Sequence, residues 1–294
     1  MIDRRCAYLT MDDIRDFVTD ADLSFEPMRS LGWSVDMVSW RDPAVDWNLY
    51  DAVYICTPWD YPEDPDAFFD VLERIDSSRA LLVNSLDLVN WNLEKTYLRD
   101  LESRGATIVP SLWLENYDRS AVVGAFDTFE SDRLVIKPVV GANAVDTFVL
   151  DAPLASEVND RLASTFAGRA CVVQPFVANI QVEGEYSLFF LAGEYSHAIR
   201  KVPESGDFRV QEEHGADILP VEAPARLIEE ATDVVALVEP QPVYVRADFV
   251  RDNDDYLLME LELIEPSLYL RTNAGAPERF ARAFDAHVRK ADTQ

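Results

Sequence analysis

Cysteines are few in this chain, and long apolar runs are absent. The three cysteines, Cys6, Cys56 and Cys171, are too widely spaced for a disulfide framework or a zinc site. No segment has about 18 uncharged apolar residues, so no membrane span is predicted. The first ten residues, MIDRRCAYLT, also lack the apolar stretch of a signal peptide. We therefore expect a cytoplasmic protein.

Positive charge is also scarce. The 294 residues include 54 acidic and 26 basic side chains, which gives a formal net charge of −28. Such a surface repels phosphate backbones and anionic lipids, so neither nucleic acid nor a membrane is expected as a partner. Hydrophobic residues make up 48% of the chain, enough for a substantial core.

Most of the basic residues are arginines, and lysine occurs only at Lys95, Lys137, Lys201 and Lys290. The lysine ammonium is a compact point charge that suits a phosphate oxygen in a tight site. A lysine in this chain is therefore a candidate for binding a phosphate.

Residues 1–90 alternate between predicted strands and helices. The apolar runs predict strands at 6–10, 33–40, 51–57 and 80–85, and helical spacing predicts helices at 25–31 and 65–75. Strands that alternate with helices indicate parallel βαβ units. We expect a small open α/β lobe.

The pattern changes after residue 90. Residues 92–104 read as one helix that Asn92 caps and Gly105 ends, with Lys95 in its first turn. Further strands are predicted at 133–140, 170–177, 186–202, 243–251 and 256–266, and helices at 154–166, 224–238 and 277–289. Gly193 and Glu194 are the predicted hairpin turn. Two antiparallel sheets with outer helices would explain this α+β pattern.

Two segments are typical of nucleotide binding. Lys137 ends a strand and is followed by the small-residue loop Gly141-Ala142-Asn143-Ala144, whose N–H groups could approach a phosphate. A plain turn explains that loop equally well. The strand VVQPFV at 172–177 could offer backbone groups to adenine, although many buried strands look similar.

Three acids lie in two C-terminal strands. Asp248 is in YVRADFV, while Glu260 and Glu262 interrupt the apolar run LLMELELIEP. Residues two apart on a strand face the same side, so both glutamates can meet Asp248 on a neighbouring strand. Three oxygen ligands suit Mg²⁺ on ATP phosphates. The alternative is a half-exposed strand with glutamates on its wet face.

Taken together, these motifs resemble the ATP-grasp superfamily, in particular prokaryotic glutathione synthetase and the ribosomal-protein glutamate ligases. The resemblance covers nearly the whole chain. It implies an ATP-grasp fold of mixed α/β and α+β class. It also implies three domains: an N-terminal pre-ATP-grasp lobe (1–90), a central subdomain (91–172) and a C-terminal subdomain (173–294).

The resemblance implies a site for ATP and Mg²⁺, or Mn²⁺. It assigns phosphate binding to Lys95, Lys137, Gly141 and Asn143, adenine to Gln174, Pro175 and Val177, ribose to Glu185, and the metal to Asp248, Glu260 and Glu262. Lys201 and Arg209 would stabilise an acyl phosphate or a substrate carboxylate. Arg246 would steady a phosphate.

Departures from the family pattern bear on the substrate. Glu262 stands where asparagine is usual, and Ser187 stands where glutathione synthetase carries a substrate-binding arginine, so glutathione is not expected. The segments TPWDYPEDP and IEPSLYLR look more like small-molecule ligases such as the O-ureidoserine cyclo-ligase of cycloserine formation. The substrate candidates are Trp59, Asp60, Tyr61, Ser267 and Arg271, although Trp59 and Tyr61 could equally pack the lobe.

The expected activity is an ATP-dependent ligase. It would activate a small carboxylate as an acyl phosphate and join it to a small-molecule amine, releasing ADP and phosphate. The alternatives are an intramolecular cyclo-ligase, a phosphotransferase and a non-catalytic ATP-binding regulatory protein. Relatives of this kind are often oligomers, so a homo-oligomer is a further expectation.

Overall fold

The computed structural model describes residues 4–141 and 144–293, and it contains three β-sheets. The strands are β1 Arg4–Thr10, β2 Trp33–Ser39, β3 Ala52–Thr57, β4 Leu81–Val83, β5 Leu112–Leu114, β6 Arg133–Pro138, β7 Phe148–Asp151, β8 Cys171–Pro175, β9 Glu185–Leu191, β10 Glu194–Val202, β11 Asp217–Val221, β12 Tyr244–Asp252 and β13 Asp255–Glu262. The helices are α1 Phe25–Ser30, α2 Pro65–Asp76, α3 Leu86–Leu93, α4 Tyr97–Ser103, α5 Arg119–Thr128, α6 Ser156–Thr165, α7 Asn179–Val182, α8 Ala225–Ala236 and α9 Ala276–Ala291.

The N-terminal sheet is parallel, in the order β2-β1-β3-β4, as predicted. Its central strands are buried along nearly their whole length, which explains their continuous apolar sequences. Helix α2 covers one face through Phe68 and Leu72. The other face packs on α9, whose Phe280 and Phe284 meet Tyr8 and Trp33. The last helix of the chain thus completes the core of the first lobe.

The second sheet is antiparallel, in the order β5-β8-β6-β7. Helices α5 and α6 close one side of it with a small core that includes Phe126, Leu162 and Phe166. Because β8 extends to Pro175, this sheet runs past residue 172. The proposed boundaries at 90 and 172 stay predictions.

The third sheet is also antiparallel, in the order β11-β10-β9-β12-β13. One face packs on α4 and α8 through Leu101, Val234 and Phe249. The predicted hairpin forms between β9 and β10, but its turn is Ala192-Gly193, one residue earlier than expected. Both turn residues have positive φ, 51° and 82°, as a tight hairpin turn requires.

The predicted helix at 92–104 was wrong in one respect, because it is two helices. Asn92 lies inside α3, where its Nδ2 donates to Leu261 O of β13 (2.7 Å) and its Oδ1 accepts from the N–H of Leu263, the residue after β13 (2.9 Å). The chain then turns at Lys95 before α4 begins, and the Lys95 N–H donates to Val139 O (2.9 Å). These long-range bonds place Lys95 in a turn against the second sheet.

Within the described ranges, no helix is long and apolar enough to cross a membrane.

Candidate functional site

A cleft of about 250 Å³ lies where the three sheets meet. It gathers most of the residues that the sequence singled out. Those that line it are Trp59, Tyr61, Lys95, Lys137, Gly141, Gln174, Pro175, Val177, Glu185, Lys201, Arg209, Arg246, Asp248, Glu260, Glu262 and Ser267. Asn143, which was predicted to bind phosphate, lies outside the described residues.

One end of the cleft is an apolar slot between the second and third sheets. Its walls belong to a cluster that contains Val109, Phe176, Ile180 and Val250. The linker after β8 forms one edge, where the N–H of Val177 has no hydrogen-bond partner among residues 4–141 and 144–293. A flat apolar slot with a free backbone donor is suited to a nucleotide base.

Two lysines lie next to this slot. The Lys95 ammonium donates to Gly141 O (2.8 Å) and pairs with Glu260 Oε1 (2.8 Å). Lys137 projects from the end of β6, and in the part of the chain described no carboxylate lies within 4.0 Å of it. Burial lowers the pKa of Lys137 against the attraction of Glu260. Lys137 is therefore a half-buried cation at the cleft without an ion-pair partner among the described residues.

The acidic trio lies on the third sheet as the strand periodicity predicted. Asp248 is directly opposite Glu260 in the pairing of β12 with β13, and Arg246 is opposite Glu262. On the other side of β12, Asp248 pairs with Ser187 of β9. Directly paired residues project from the same face of a sheet, so these side chains form one polar surface.

Arginine and lysine side chains already pair with these acids. Arg246 Nε and Nη2 donate to Asp248 Oδ2 at 3.0 and 2.9 Å, and Nη2 also bonds Glu262. The Ser187 hydroxyl donates to Asp248 Oδ1 (2.5 Å). Lys201 bonds Glu185 Oε1 (2.8 Å) and lies 3.6 Å from Asp248 Oδ1. The result is a buried ion network in which most charges are compensated.

The described residues contain no group of three metal-ligating side chains arranged to hold an ion. Each predicted ligand is turned toward a lysine or an arginine instead. The donor set itself, three carboxylates on adjacent strands, fits a hard cation such as Mg²⁺. Burial raises the pKa of Glu262 to about 7, despite Arg246, and repulsion from Glu260 and Asp248 adds to it. Extra positive charge would stabilise this site.

The end of the cleft away from the slot is formed by the N-terminal lobe and by the segment after β13. The Trp59 indole donates to the backbone oxygen of Glu265 (3.0 Å) and packs against Phe17 at 5.3 Å between ring centroids. Tyr61 is buried and stacks on Phe68. Tyr61 thus both packs the lobe and lines the cleft.

Glu265 lines the cleft, and the sequence reasoning missed it. Burial, followed by repulsion from Glu262, raises the pKa of Glu265 to about 8, while the nearby Tyr61 hydroxyl lowers it. The available signal was an acid in the apolar segment LIEP directly after the metal motif.

Two substrate candidates do not line the cleft. The carboxylate of Asp60 accepts hydrogen bonds from Trp40 Nε1 (2.6 Å) and Arg41 Nε (2.7 Å), so it holds the N-terminal lobe together. Arg271 binds Asp20 Oδ1 (3.0 Å) and Glu212 Oε2 (2.7 Å). Arg271 therefore links distant segments instead of facing a ligand.

Glu212 belongs to a segment that covers the cleft. Residues 203–216 connect β10 to β11, and Phe208, Arg209 and Val210 from this segment contribute to the lining. Arg209 pairs with Asp207 (2.7 Å) and keeps much of its side chain exposed. The Arg271 bridge fixes this covering segment to Asp20 in the N-terminal lobe.

Known proteins resemble this chain over nearly its full length. Residues 6–84 match the family described as D-cycloserine synthetase DcsG, N-terminal domain. The cycloserine biosynthesis protein DcsG of Streptomyces lavendulae is 32% identical over 274 residues, which is 88% of this chain and 90% of that protein. The crystal structure of D-cycloserine synthetase DcsG aligns with a TM-score of 0.86 at 28% identity, covering 97% of this chain and 99% of the other.

More distant structures share the fold alone. The ATP-grasp ligase PsnB, complexed with minimal precursor, Mg and ADP, aligns with a TM-score of 0.66 at 16% identity, covering 97% of this chain and 98% of PsnB. D-alanine–D-alanine ligase from Bacillus anthracis aligns with a TM-score of 0.65 at 14% identity, covering 99% of this chain and 100% of that ligase. At the level of the family, ATP and Mg²⁺ are the ligands to expect in this cleft.

The cleft combines a slot for a base, a lysine pair and a carboxylate surface, and the relatives with this architecture are ligases. The chain therefore belongs to the DcsG family of ATP-grasp ligases, and it is an ATP-dependent enzyme that forms carbon–nitrogen bonds.

Proposed function

We propose that this enzyme is an intramolecular ligase that closes a ring in an O-ureidoserine-type amino acid. The observation that carries the proposal is the similarity to the cycloserine biosynthesis protein, which extends over 88% of the chain. It includes the N-terminal lobe, which supplies Trp59 and Tyr61 to the substrate end of the cleft. Joining a separate acid and amine is the alternative that the experiment below distinguishes.

The chemistry needs no nucleophilic side chain. The substrate carboxylate attacks the γ-phosphorus of ATP, the bond to ADP breaks, and an acyl phosphate forms. The oxygen-bound nitrogen of the ureido group in the same molecule then attacks the acyl carbon. Phosphate leaves with the electron pair, the nitrogen loses its proton to phosphate or water, and a five-membered ring closes. The protein contributes position and charge stabilisation.

For ATP, we assign the phosphates to Lys95, Lys137 and the loop that contains Gly141 and Asn143. Lys137 supports this assignment most directly, because it is a half-buried cation that lines the cleft with no paired carboxylate in the described chain. We place the base against Gln174, Pro175 and the free N–H of Val177, and the ribose near Glu185.

We assign the metal to Asp248, Glu260 and Glu262, with Mg²⁺ as the proposed ion and Mn²⁺ as an alternative. When bound, the metal would neutralise negative charge on the ATP phosphates. Burial and the neighbouring acids Glu260 and Asp248 raise the pKa of Glu262 despite Arg246, which supports a site where further positive charge would be favourable. Lys201 and Arg209 are proposed to stabilise the acyl phosphate or the substrate carboxylate, and Arg246 to steady a phosphate.

The test uses both enantiomers of O-ureidoserine with Mg-ATP. ADP and phosphate are followed by coupled assays and the organic product by mass spectrometry. We expect ADP release that saturates in one substrate with no added amine, together with a ring product. Turnover only when a second amine is present would refute ring closure and leave an intermolecular ligase. A stable phosphorylated product without free phosphate would refute both.

Other expectations stay proposals. They are a cytoplasmic location, the absence of a nucleic-acid partner and assembly as a homo-oligomer. Light scattering during size-exclusion chromatography measures the oligomeric state directly.

A further inference from the structure

The charges that line the cleft are compensated in a specific pattern. Asp248 and Glu262 share Arg246, Glu260 has Lys95, and Glu185 has Lys201. Removing a carboxylate from water is costly without a cation, so each of these pairs offsets the desolvation of its carboxylate.

Glu265 breaks this pattern. Over residues 4–141 and 144–293, no lysine, arginine or histidine nitrogen lies within 4.0 Å of its carboxylate. Its neighbours are the acid Glu262, which opposes its ionisation, and the Tyr61 hydroxyl, while Arg246 attracts it more weakly from a longer distance. Glu265 is therefore an acid in the cleft without an ion-pair partner among the described residues.

The position of Glu265 is defined by the fold. Its backbone oxygen accepts a hydrogen bond from the Trp59 indole (3.0 Å), which joins the segment after β13 to the N-terminal lobe. Trp59, Tyr61 and Tyr269 line the same end of the cleft. Aromatic side chains exclude water and lower the local dielectric, so a carboxylate at this end would interact strongly with a small ammonium group.

We propose that Glu265 binds the α-ammonium group of an amino-acid substrate and selects amino acids over acids that lack this group. The inference rests on the proposed function, because it concerns the substrate end of the same cleft. The ammonium group takes no part in bond formation. Its role is to hold the carboxylate of the same molecule in place for activation.

A pair of substrates tests the inference. The first is the O-ureidoserine enantiomer that the enzyme accepts. The second is 3-(ureidooxy)propanoate, which has hydrogen in place of the α-ammonium group. The two are compared in the wild-type enzyme and in Glu265→Gln at saturating Mg-ATP. Glu213→Gln is the matched control, since Glu213 also lines the cleft but is exposed on the covering segment.

We expect the wild-type enzyme to prefer the amino substrate by about ten- to a hundredfold in kcat/KM, as a charge-assisted hydrogen bond predicts. Glu265→Gln should remove that preference by lowering kcat/KM for the amino substrate alone. The kcat/KM for the analogue should change by less than about threefold in this variant, and the KM for Mg-ATP should also change by less than about threefold. Glu213→Gln should keep the wild-type preference.

Calorimetry with a non-hydrolysable ATP analogue separates this inference from the proposed function. If the protein binds O-ureidoserine more tightly than the analogue but does not turn it over, the proposed function is refuted and ammonium recognition is still supported. The inference is overturned if Glu265→Gln weakens both compounds equally, because Glu265 would then act on the fold or the metal. It is also overturned if the wild-type protein does not distinguish the two compounds in binding.

Discussion

Replacing Glu265 by glutamine should stabilise the free enzyme at alkaline pH and change little at pH 5. Burial first, and Glu262 second, raise the pKa of Glu265 from 4.5 to about 8. Between these values the folded chain keeps a proton that the unfolded chain has released. Stability therefore falls as pH rises through this window. Glutamine is neutral at every pH, so the variant escapes that loss.

The size of the effect follows from the shift. One pKa unit corresponds to about 1.4 kcal/mol, so a change from 4.5 to about 8 sets an upper limit of about 5 kcal/mol. The cleft opens to solvent, and water together with local relaxation screens the charges. We therefore expect a gain of about 2 kcal/mol at pH 9 and almost none at pH 5.

Urea unfolding followed by tryptophan fluorescence measures the effect between pH 5 and pH 9, with EDTA and without nucleotide. Glu229→Gln is the control, because Glu229 is exposed on α8. Its stability should parallel that of the wild type. If Glu265→Gln instead loses stability at pH 9, Glu265 has a cationic partner in solution and the charge inventory of the cleft is incorrect.

The remaining predictions concern three other residues. Lys137→Met should lower kcat/KM for ATP by at least about a hundredfold in an ADP-release assay, because phosphate charge goes uncompensated. The melting temperature of Lys137→Met should be unchanged or higher, because desolvation already disfavours the charge of this lysine. The exposed control Lys290→Met should behave as the wild type. Arg271→Gln should cost about 3 kcal/mol by leaving buried Asp20 unpaired. Arg271→Gln should also raise the KM for the organic substrate, while the affinity for ATP measured by calorimetry should stay unchanged. An equal loss of ATP affinity would contradict the bridging role of Arg271. Asn92→Ala should cost about 2–3 kcal/mol in urea unfolding through two lost backbone bonds, and a neutral result would mean that α3 does not anchor β13.

Local sequence patterns predicted most of the fold. The parallel first sheet follows from alternating apolar strands and helices, and its topology is as expected. The helices α6, α8 and α9 and the strands β6, β8, β9, β10, β12 and β13 of the antiparallel sheets also lie where periodicity placed them, whereas the short strands β5, β7 and β11 were not predicted. These patterns succeed because hydrophobic periodicity is set by neighbours a few residues apart.

Errors occurred where distant contacts outweighed local signals. Asn92 looks like a helix cap in isolation, yet its amide bonds β13 from within α3. Asp60 looks like a pocket residue, yet Trp40 and Arg41 bind its carboxylate. A side chain of this kind can satisfy its hydrogen bonds in several ways, and only the tertiary structure selects one.

The sequence by itself determined that the three acids of the metal motif share one face of two strands, because alternation along a strand decides the face of each side chain. Asp248, Glu260 and Glu262 therefore face one another as predicted. Only the tertiary structure decided the partners: Lys95 for Glu260, Arg246 for Asp248 and Glu262, and no cation for Glu265 in the described chain. Ion pairing depends on distances of a few ångströms between segments far apart in sequence, and no local pattern encodes those distances.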